Sequence, residues 1–204
     1  MRDGEGVSFQ NMLNAETLTF EEFAMREQVP LAAIYDAVLQ FLRGRDDAVV
    51  FGAQAVNAYV GEPRMSQDID LVSTRAVELA EELREYLSER FHIAVCEQVI
   101  GTGRRYCLFQ VQKPRNRYLV DLRTVESLPR AERIEDVLVM FPPELIAHNV
   151  IAYHGRRGQP KAGTDWRDLA MLLLKFPELK QEQGAVSAAL KSIGVKDECH
   201  ADVA

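Results

Sequence analysis

The chain has 204 residues, 47% hydrophobic and 27% charged, a composition typical of a folded globular protein and unlike that of a disordered or fibrous chain. Its 24 basic and 31 acidic residues give a net charge of −7, which excludes a global positive field that would attract nucleic acid or membrane. Cys96, Cys107 and Cys199 lack metal-type spacing and are expected to be free thiols in a reducing compartment. Because no apolar run suits a signal segment or a membrane span, we expect a cytoplasmic protein without membrane contact.

Composition and periodicity divide the chain into four predicted segments. These are a loosely ordered lead-in at residues 1–18, a core at 19–140, a C-terminal helical segment packed on the core at 141–195, and a polar tail at 196–204. Thr19 and Glu22 form a capping box that predicts a short helix at the start of the core. The apolar spacing from Pro30 to Leu42 predicts the next helix, which Gly44 closes.

The stretch from Ala48 to Ser73 predicts a strand, a turn, a short helix and a second strand. Gly52 follows the first strand, and Asp68 and Asp70 stand at the front of the second. Because strand side chains alternate between faces, both carboxylates are expected on one face of the sheet. Such an oxygen-rich edge suits a hard cation such as Mg²⁺, which keeps some of its waters and is completed by substrate phosphates.

The rest of the chain predicts further elements around the same sheet. They are a helix from Thr74, strands at Phe91–Val99, Arg105–Gln112 and Tyr118–Leu122, an edge strand at Val137–Met140, and helices that begin near Pro142, Thr164 and Glu182. Asp121 lies inside an otherwise apolar run, so its charge needs a specific partner. We therefore predict an α/β (α+β) fold with a small mixed β-sheet, flanking helices and a C-terminal helical segment.

The glycine turn at Gly52 and the segment Arg-x-Ser-x-Asp-x-Asp at residues 64–70 resemble the polymerase-beta-type nucleotidyltransferase superfamily. The chain most resembles its AbiEii-like branch of nucleotidyltransferase toxins and their minimal relatives. That branch has two small residues after the first strand, here Gly52 and Ala53. The resemblance implies the nucleotidyltransferase fold and transfer of a nucleotidyl group from a nucleoside triphosphate to a hydroxyl on RNA, protein or a small molecule. The setting would be a toxin–antitoxin pair or a housekeeping relative.

The resemblance assigns catalytic and metal-binding roles to Asp68, Asp70 and Asp121, with Mg²⁺ as cofactor or Mn²⁺ in its place. In a two-metal arrangement the cations lie about 3.5–4 Å apart and stabilise both the attacking and the leaving oxygens. Asp121 is the expected third ligand and a candidate general base for the incoming hydroxyl. The alternative for Asp121 is an ion pair with an arginine such as Arg123 or Arg104.

A second set of residues is assigned to the nucleotide, namely Gly52, Ala53, Arg64, Ser66, His148, Lys161 and Asp165. A glycine lets the backbone approach a phosphate, and the helix that follows directs its N–H groups at an anion. The segment from Lys161 to Leu169 is similar to the family's basic turn and Asp-x-x-Asp-Leu motif. His148 stands where the family has a lysine, and histidine carries only part of a charge near neutral pH.

Structural interpretations compete with several of these roles. Asp165 can act as a helix cap, Arg156 and Arg157 are expected in a solvated linker, and Trp166 is expected as a core anchor. A set of basic strand and turn residues could form a strip that holds an RNA end, but the preferred interpretation is that they are exposed and keep a sheet edge soluble: Arg104, Arg105, Lys113, Arg115 and Arg117.

Two departures from the family pattern, Ala53 for a second glycine and His148 for lysine, favour an alternative function. In that alternative the chain is a catalytically weak or inactive relative that binds nucleotide or a protein partner such as an antitoxin. The complete carboxylate trio favours an active enzyme.

Overall fold

A computed structural model of the chain describes residues 29–201, with side chains as far as residue 194. The predicted lead-in at residues 1–18, the capping box at Thr19 and Glu22, and residues 202–204 lie outside the described residues. Within residues 29–201, every helix is too short or too polar to cross a membrane.

Within residues 29–201, one mixed sheet of seven strands organises the fold, in the order β3-β4-β5-β2-β1-β7-β6. In chain order the elements are α1 (Leu31–Leu42), β1 (Ala48–Phe51), α2 (Gly52–Tyr59), β2 (Ile69–Ser73), α3 (Ala76–Phe91), β3 (Val95–Ile100), β4 (Arg105–Gln110), β5 (Arg117–Thr124), β6 (Ala131–Ile134), β7 (Val137–Met140), α4 (Pro142–Gly155), α5 (Ala162–Lys175), a 3-10 turn (Pro177–Leu179) and α6 (Ala185–Ala201). Strand β1 runs antiparallel to β2 and parallel to β7, and β2 runs parallel to β5. The predicted mixed sheet with flanking helices is confirmed.

The alternation of strand side chains separates the core from the polar face. Leu71 on β2 and Leu122 on β5 are fully buried, whereas their neighbours Asp70 and Asp121 project from the opposite face. Helices α1 and α3 pack together, and α3 covers β2 to β5. Helices α2, α4 and α5 form a second packed group. The second group borders the face that carries the carboxylates.

The β6–β7 hairpin differs from the sequence prediction. Val137–Met140 was expected at an edge, but β7 lies inside the sheet between β1 and the unpredicted β6. Strand β6 reads Ala-Glu-Arg-Ile with its two central residues exposed, so it carries little apolar signal. The turn uses Glu135 and Asp136 at φ +48° and +66°, without the glycine or asparagine that marks such conformations.

Two helix boundaries also differ. The helix predicted from Thr74 continues to Phe91 and ends at His92 in the left-handed conformation, so the strand predicted from Phe91 begins only at Val95. The last helix was predicted over Glu182 to Ile193, but α6 begins at Ala185 and continues to Ala201. It therefore extends into the segment predicted as a polar tail.

Candidate functional site

The register of β2 and β5 brings the carboxylates together. Asp70 on β2 is the Cα partner of Asp121 on β5, and Asp68 immediately precedes β2. Adjacent strands lie about 4.8 Å apart, so side chains on the same face at paired positions are neighbours. The three carboxylates line a cavity of about 460 Å³ between the sheet and helices α4 and α5. All ten predicted site residues line this cavity, namely Gly52, Ala53, Arg64, Ser66, Asp68, Asp70, Asp121, His148, Lys161 and Asp165.

The turn between β1 and α2 requires glycine for two reasons. Gly52 has φ +64°, in the left-handed region that L side chains rarely adopt. A Cβ atom at Gly52 would also overlap the Asp70 carboxylate, lying 2.8 Å from its Cγ. The backbone that opens α2 therefore lies directly against Asp70.

Asp68 and Asp70 form a carboxylate pair that has no salt bridge among the described residues. Burial raises the pKa of Asp70 to about 7, and the charges of Asp68 and Asp121 add to that effect. Burial, followed by the charge of Asp121, also raises the pKa of Asp68. The positive charge of Lys161 opposes both shifts without cancelling them. This pair therefore lies in a place where a cation would be stabilised.

Asp121 is in a different electrostatic state, because Arg105 on β4 holds it. Arg105 Nε donates to Oδ1 at 2.7 Å and Nη2 donates to Oδ2 at 2.6 Å, and Asp121 is only 3% exposed. Arg123 lies farther away, with its Nη2 at 3.8 Å from Oδ2. The predicted alternative of an arginine partner thus holds for Arg105 and, more weakly, Arg123. Arg105 is exposed, as expected, but it also pairs with Asp121 instead of only keeping a sheet edge soluble.

Arg64 is bound to the acid of the C-terminal motif. Its Nε donates to Asp168 Oδ1 at 2.9 Å and its Nη2 donates to Oδ2 at 2.6 Å, and Asp168 is 2% exposed. Asn57 on α2 fixes the Arg64 backbone from the other side, at 2.8 Å to its carbonyl and 3.0 Å from its N–H. A contact of Arg64 with a triphosphate remains a prediction, and in the structure this arginine ties the loop before β2 to α5.

Ser66 turns its hydroxyl back onto the loop. Its Oγ donates to the Asp68 carbonyl at 2.8 Å, and the Tyr35 hydroxyl donates to the Ser66 carbonyl at 2.8 Å. Burial and the charge of Asp68 raise the pKa of Tyr35 above its ordinary value, so its hydroxyl keeps its proton. These bonds fix the backbone from which the Asp68 side chain projects.

The helical side of the cavity carries the remaining predicted residues. The His148 ring on α4 lies 6.2 Å from the Phe51 ring between centroids. Lys161 immediately precedes α5 and is exposed. Asp165 is buried, and Arg156 Nη1 donates to its Oδ1 at 2.8 Å, so the solvated-linker interpretation of Arg156 is wrong.

Trp166 is 61% exposed and packs on Tyr153 with 5.9 Å between ring centroids. The expected core anchor is therefore wrong. The core positions of α5 are taken by Leu169 and Leu172, which are buried.

Two buried donors in the cavity wall were missed by the sequence reasoning. Arg123 Nε and Asn149 Nδ2 have no hydrogen-bond partner among the residues that the structure describes. The Arg123 guanidinium also lies over the Phe51 ring, 4.8 Å from its centroid. The alternation of β5 places Arg123 beside Asp121 on the same face, a signal that the sequence contains. Unpaired N–H groups fit a ligand rich in acceptor oxygens.

The donor set fits a divalent cation only in part. In the described part of the chain, no group of three or more His, Cys, Asp and Glu side chains is arranged to hold a metal ion. Asp121 has both of its oxygens bound to Arg105, so in this pairing it does not offer a free oxygen to an ion beside Asp68 and Asp70. Asp68 and Asp70 supply carboxylate oxygens without an arginine partner, which is the chemistry that Mg²⁺ prefers. The pair fits the ion, and Asp121 in its present pairing does not.

A mixed sheet with a glycine turn into a short helix and paired carboxylates on the next strand defines the nucleotidyltransferase class. The sequence profile of the family "Nucleotidyl transferase AbiEii toxin, Type IV TA system" matches residues 34–200, and the chain belongs to this family. The match confirms the predicted family.

Solved structures confirm the fold. The Megavirus polyadenylate synthase superimposes with a TM-score of 0.61 at 14% identity, over 78% of this chain and 35% of that one. The chain thus spans about a third of the length of that protein. JHP933 from Helicobacter pylori gives a TM-score of 0.57 at 15% identity, over 87% of this chain and 75% of that one. A putative nucleotidyltransferase from H. pylori gives 0.56 at 16% identity, over 79% and 72%. A comparison with curated protein sequences gives no significant match.

Proposed function

We propose that this protein transfers a nucleotidyl group from a nucleoside triphosphate to a hydroxyl acceptor, with Mg²⁺ as cofactor or Mn²⁺ in its place. The observation that carries the proposal is the Asp68–Asp70 pair, which faces the cavity without an arginine partner among the described residues. Family membership supports the reaction class.

The cavity wall offers donors and positive charge to the phosphates. The first N–H groups of α2, from Ala53 onward, have no partner within their own helix and lie at the positive end of its dipole. Arg123 and Asn149 add unpaired buried donors, and Lys161 adds an exposed positive charge near the carboxylates. This combination suits a polyanion with many acceptor oxygens, such as a triphosphate.

In the proposed reaction, the acceptor oxygen forms a bond to the α-phosphorus, and the bond from that phosphorus to the leaving pyrophosphate oxygen breaks. A metal ion bound by Asp68 and Asp70 would neutralise charge that develops on the phosphate oxygens. Gly52 allows the α2 backbone to lie beside Asp70, and the Tyr35 and Ser66 bonds hold Asp68 in place. Asp121 can take the acceptor's proton only after Arg105 moves away from its oxygens.

The second candidate is a nucleotide-binding relative with weak or no activity. Two observations favour it. Arg64 is bound to Asp168, and His148 stands where the family has a lysine. The ion pair of Arg64 and the substitution at His148 both reduce the positive charge available to a triphosphate.

The name of the family includes a toxin of a type IV toxin–antitoxin system, and we propose that role and an antitoxin protein as partner for this chain as well. Induced expression in a bacterial host tests the toxin role. Growth arrest is expected for the wild type and not for Asp70→Asn expressed to the same level. Equal growth of both strains would contradict the toxin role without bearing on nucleotide binding.

Isothermal titration tests the proposed function directly. The purified protein is titrated with each of the four ribonucleoside triphosphates, with and without Mg²⁺. We expect Mg²⁺-dependent binding of at least one triphosphate, which is lost in Asp68→Asn/Asp70→Asn. Release of labelled pyrophosphate in the presence of candidate acceptors then separates an active enzyme from a binding protein.

The matched control is Glu81→Gln/Glu85→Gln, which removes the same number of carboxylates from the exposed face of α3. This control should bind like the wild type, because the loss of two surface charges changes little at the cavity. Binding that survives in Asp68→Asn/Asp70→Asn would contradict the assignment of the metal site.

A further inference from the structure

Arg105 reaches Asp121 across the sheet in a geometry set by the strand register. The register pairs Cys107 with Asp121 and Arg105 with Arg123, so Arg105 and Asp121 are diagonal neighbours on one face. Two parallel N–H bonds, at 2.7 and 2.6 Å, join the guanidinium to both carboxylate oxygens. A bidentate pair of this kind is strong and fixed in direction.

The arginine covers Asp121 from the open side of the cavity. The Arg105 side chain is 45% exposed, whereas Asp121 is 3% exposed, so the guanidinium lies between the carboxylate and the solvent. A Mg²⁺ ion requires near-octahedral geometry with oxygens at about 2.0–2.1 Å. A Mg²⁺ ion cannot bind the Asp121 oxygens at that distance while the Arg105 guanidinium holds both of them. The positive charges of the ion and the guanidinium would also repel each other.

The neighbouring carboxylates of Asp68 and Asp70 are not covered by an arginine in the way that Arg105 covers Asp121. Asp70 is the Cα partner of Asp121, yet neither Asp70 nor Asp68 forms a salt bridge with any described residue. A divalent ion can therefore be bound on the β2 side of the cavity, while the β5 side already holds a positive charge.

We infer that the Arg105 guanidinium takes the place of a second metal ion, so that one divalent cation binds at Asp68 and Asp70 and Arg105 supplies the other positive charge to the triphosphate. This inference rests on the function proposed above. Asp121 occupies one N–H each of Arg105 Nε and Nη2, and the side chain is 45% exposed, so a guanidinium with five N–H donors still has donors to offer a phosphate oxygen. Guanidinium stays charged at all physiological pH values, so this charge is permanent.

Electron paramagnetic resonance of Mn²⁺ distinguishes one ion from two. The full chain is saturated with an α,β-methylene triphosphate, using the base that binds most tightly in the titration. Mn²⁺ is then titrated in, and the free ion is quantified from its own signal, so that the bound ions are counted and their spectrum is obtained by subtraction. Two Mn²⁺ ions about 3.5–4 Å apart couple magnetically, whereas a single ion gives an uncoupled spectrum. We expect one bound Mn²⁺ per chain and an uncoupled spectrum for the wild type.

The variant Arg105→Gln removes the charge and opens Asp121. We expect this variant to bind a second Mn²⁺ and to show the coupled spectrum. Arg105→Lys keeps a positive charge and should remain uncoupled, and Arg105→Gln/Asp121→Asn should lose the coupling because the additional ligand is gone. Circular dichroism establishes that each variant is folded.

The possible results separate this inference from the proposed function. A coupled spectrum in the wild type, or an uncoupled one in folded Arg105→Gln, would overturn the inference and leave the proposed function intact. If the wild type binds no Mn²⁺ even with the analogue, the proposed metal-dependent function fails and the inference fails with it. If Arg105→Gln does not fold, the wild-type spectrum still decides, because coupling contradicts the inference and a single uncoupled ion supports it.

Discussion

The β2 carboxylates on the strand side of the cavity and the α5 carboxylates on its helix side differ in their partners, and Asp121 on β5 resembles the α5 acids because Arg105 binds it. On the helix side, Asp165 and Asp168 of α5 are 5% and 2% exposed, and each is bound to an arginine. On the strand side, Asp68 and Asp70 have no arginine partner among the described residues, and both have raised pKa values. Acids of the first kind hold the structure together, whereas the raised pKa values of the second kind mark the pair that we propose as the cation site.

This difference assigns separate tasks to two family motifs. The Asp-x-x-Asp segment of α5 acts through arginines on other elements, because Asp168 holds the loop before β2 and Asp165 holds the turn after α4. The loop that Asp168 holds carries Asp68 at its end. The helix side therefore positions the strand side, and the two can be separated by substitution.

The largest effect is expected from Asp168→Ala. Removing a buried partner leaves Arg64 without its carboxylate, and such losses destabilise proteins by about 3 kcal/mol or more. Urea unfolding followed by circular dichroism measures the free energy of unfolding. A change close to zero would show that the helix side does not hold the structure.

The matched control is Glu81→Ala on the surface of α3. Arg84 contacts Glu81 at 2.6 Å, the same distance as Arg64 to Asp168, but Glu81 is exposed to solvent. Because solvent screens such a pair, the urea midpoint of Glu81→Ala should equal that of the wild type. Equal losses in both variants would contradict the distinction drawn from burial.

Gly52→Ala tests the strand side by forcing the α2 backbone away from Asp70. The left-handed φ of +64° and the overlap with the carboxylate should together destabilise the fold by about 2 kcal/mol. The same measurement applies, with Gly61→Ala as the control, because a Cβ at Gly61 meets no atom within 4 Å. If both variants have wild-type stability, the close approach of Gly52 and Asp70 is not a constraint on the fold.

Much of this architecture follows from local patterns in the sequence. The apolar run of β1, the glycine turn and the paired acids of β2 predict both the central strands and the residues around the cavity. These features were predictable because side-chain alternation and turn chemistry act over a few residues. Strand β6 was missed because its central Glu132 and Arg133 are exposed and its turn has no glycine.

The partners of the charged residues were harder to predict than their positions. Arg105 binds Asp121 only because of the β4–β5 register, and Arg64 binds Asp168, which is 104 residues away in the chain. An arginine in an exposed strand and an arginine in a buried ion pair look alike in sequence. The choice between them is made by tertiary packing, which a local pattern does not contain.

Asp70→Asn should stabilise the protein at high pH. The pKa of Asp70 is about 7 when folded, against about 3.9 in an unfolded chain, so the folded state retains a proton that the unfolded state releases. The free energy of unfolding therefore falls progressively as the pH rises from about 4 to about 7, and above pH about 7 the full cost of ionised Asp70 is present. We expect a gain of about 1–2 kcal/mol at pH 8 that disappears as the pH falls to 4.

Asp47→Asn is the control of opposite sign, because its hydrogen bond with Arg45 lowers the pKa of Asp47. That variant should lose stability at pH 8, and the loss should fade as the pH falls through the lowered pKa. Thermal unfolding from pH 4 to 8 follows the trend of Asp70→Asn, whereas the loss in Asp47→Asn should stay constant over this range because the lowered pKa of Asp47 lies below it. A pH-independent effect of Asp70→Asn would show that its carboxylate is not strained by burial and neighbouring charge.

The smallest effect is expected on triphosphate affinity, and it tests whether the helix side of the cavity contacts the phosphates. His148 lines the cavity, so His148→Lys adds a full charge near the bound triphosphate. We expect binding to tighten about fivefold, or roughly 1 kcal/mol, in isothermal titration at low salt. His154→Lys makes the same change on the same helix at an exposed position away from the cavity lining, and it should leave the affinity unchanged. If the two variants bind equally, α4 does not face the phosphates, and the helix side only positions the carboxylates of the strand side.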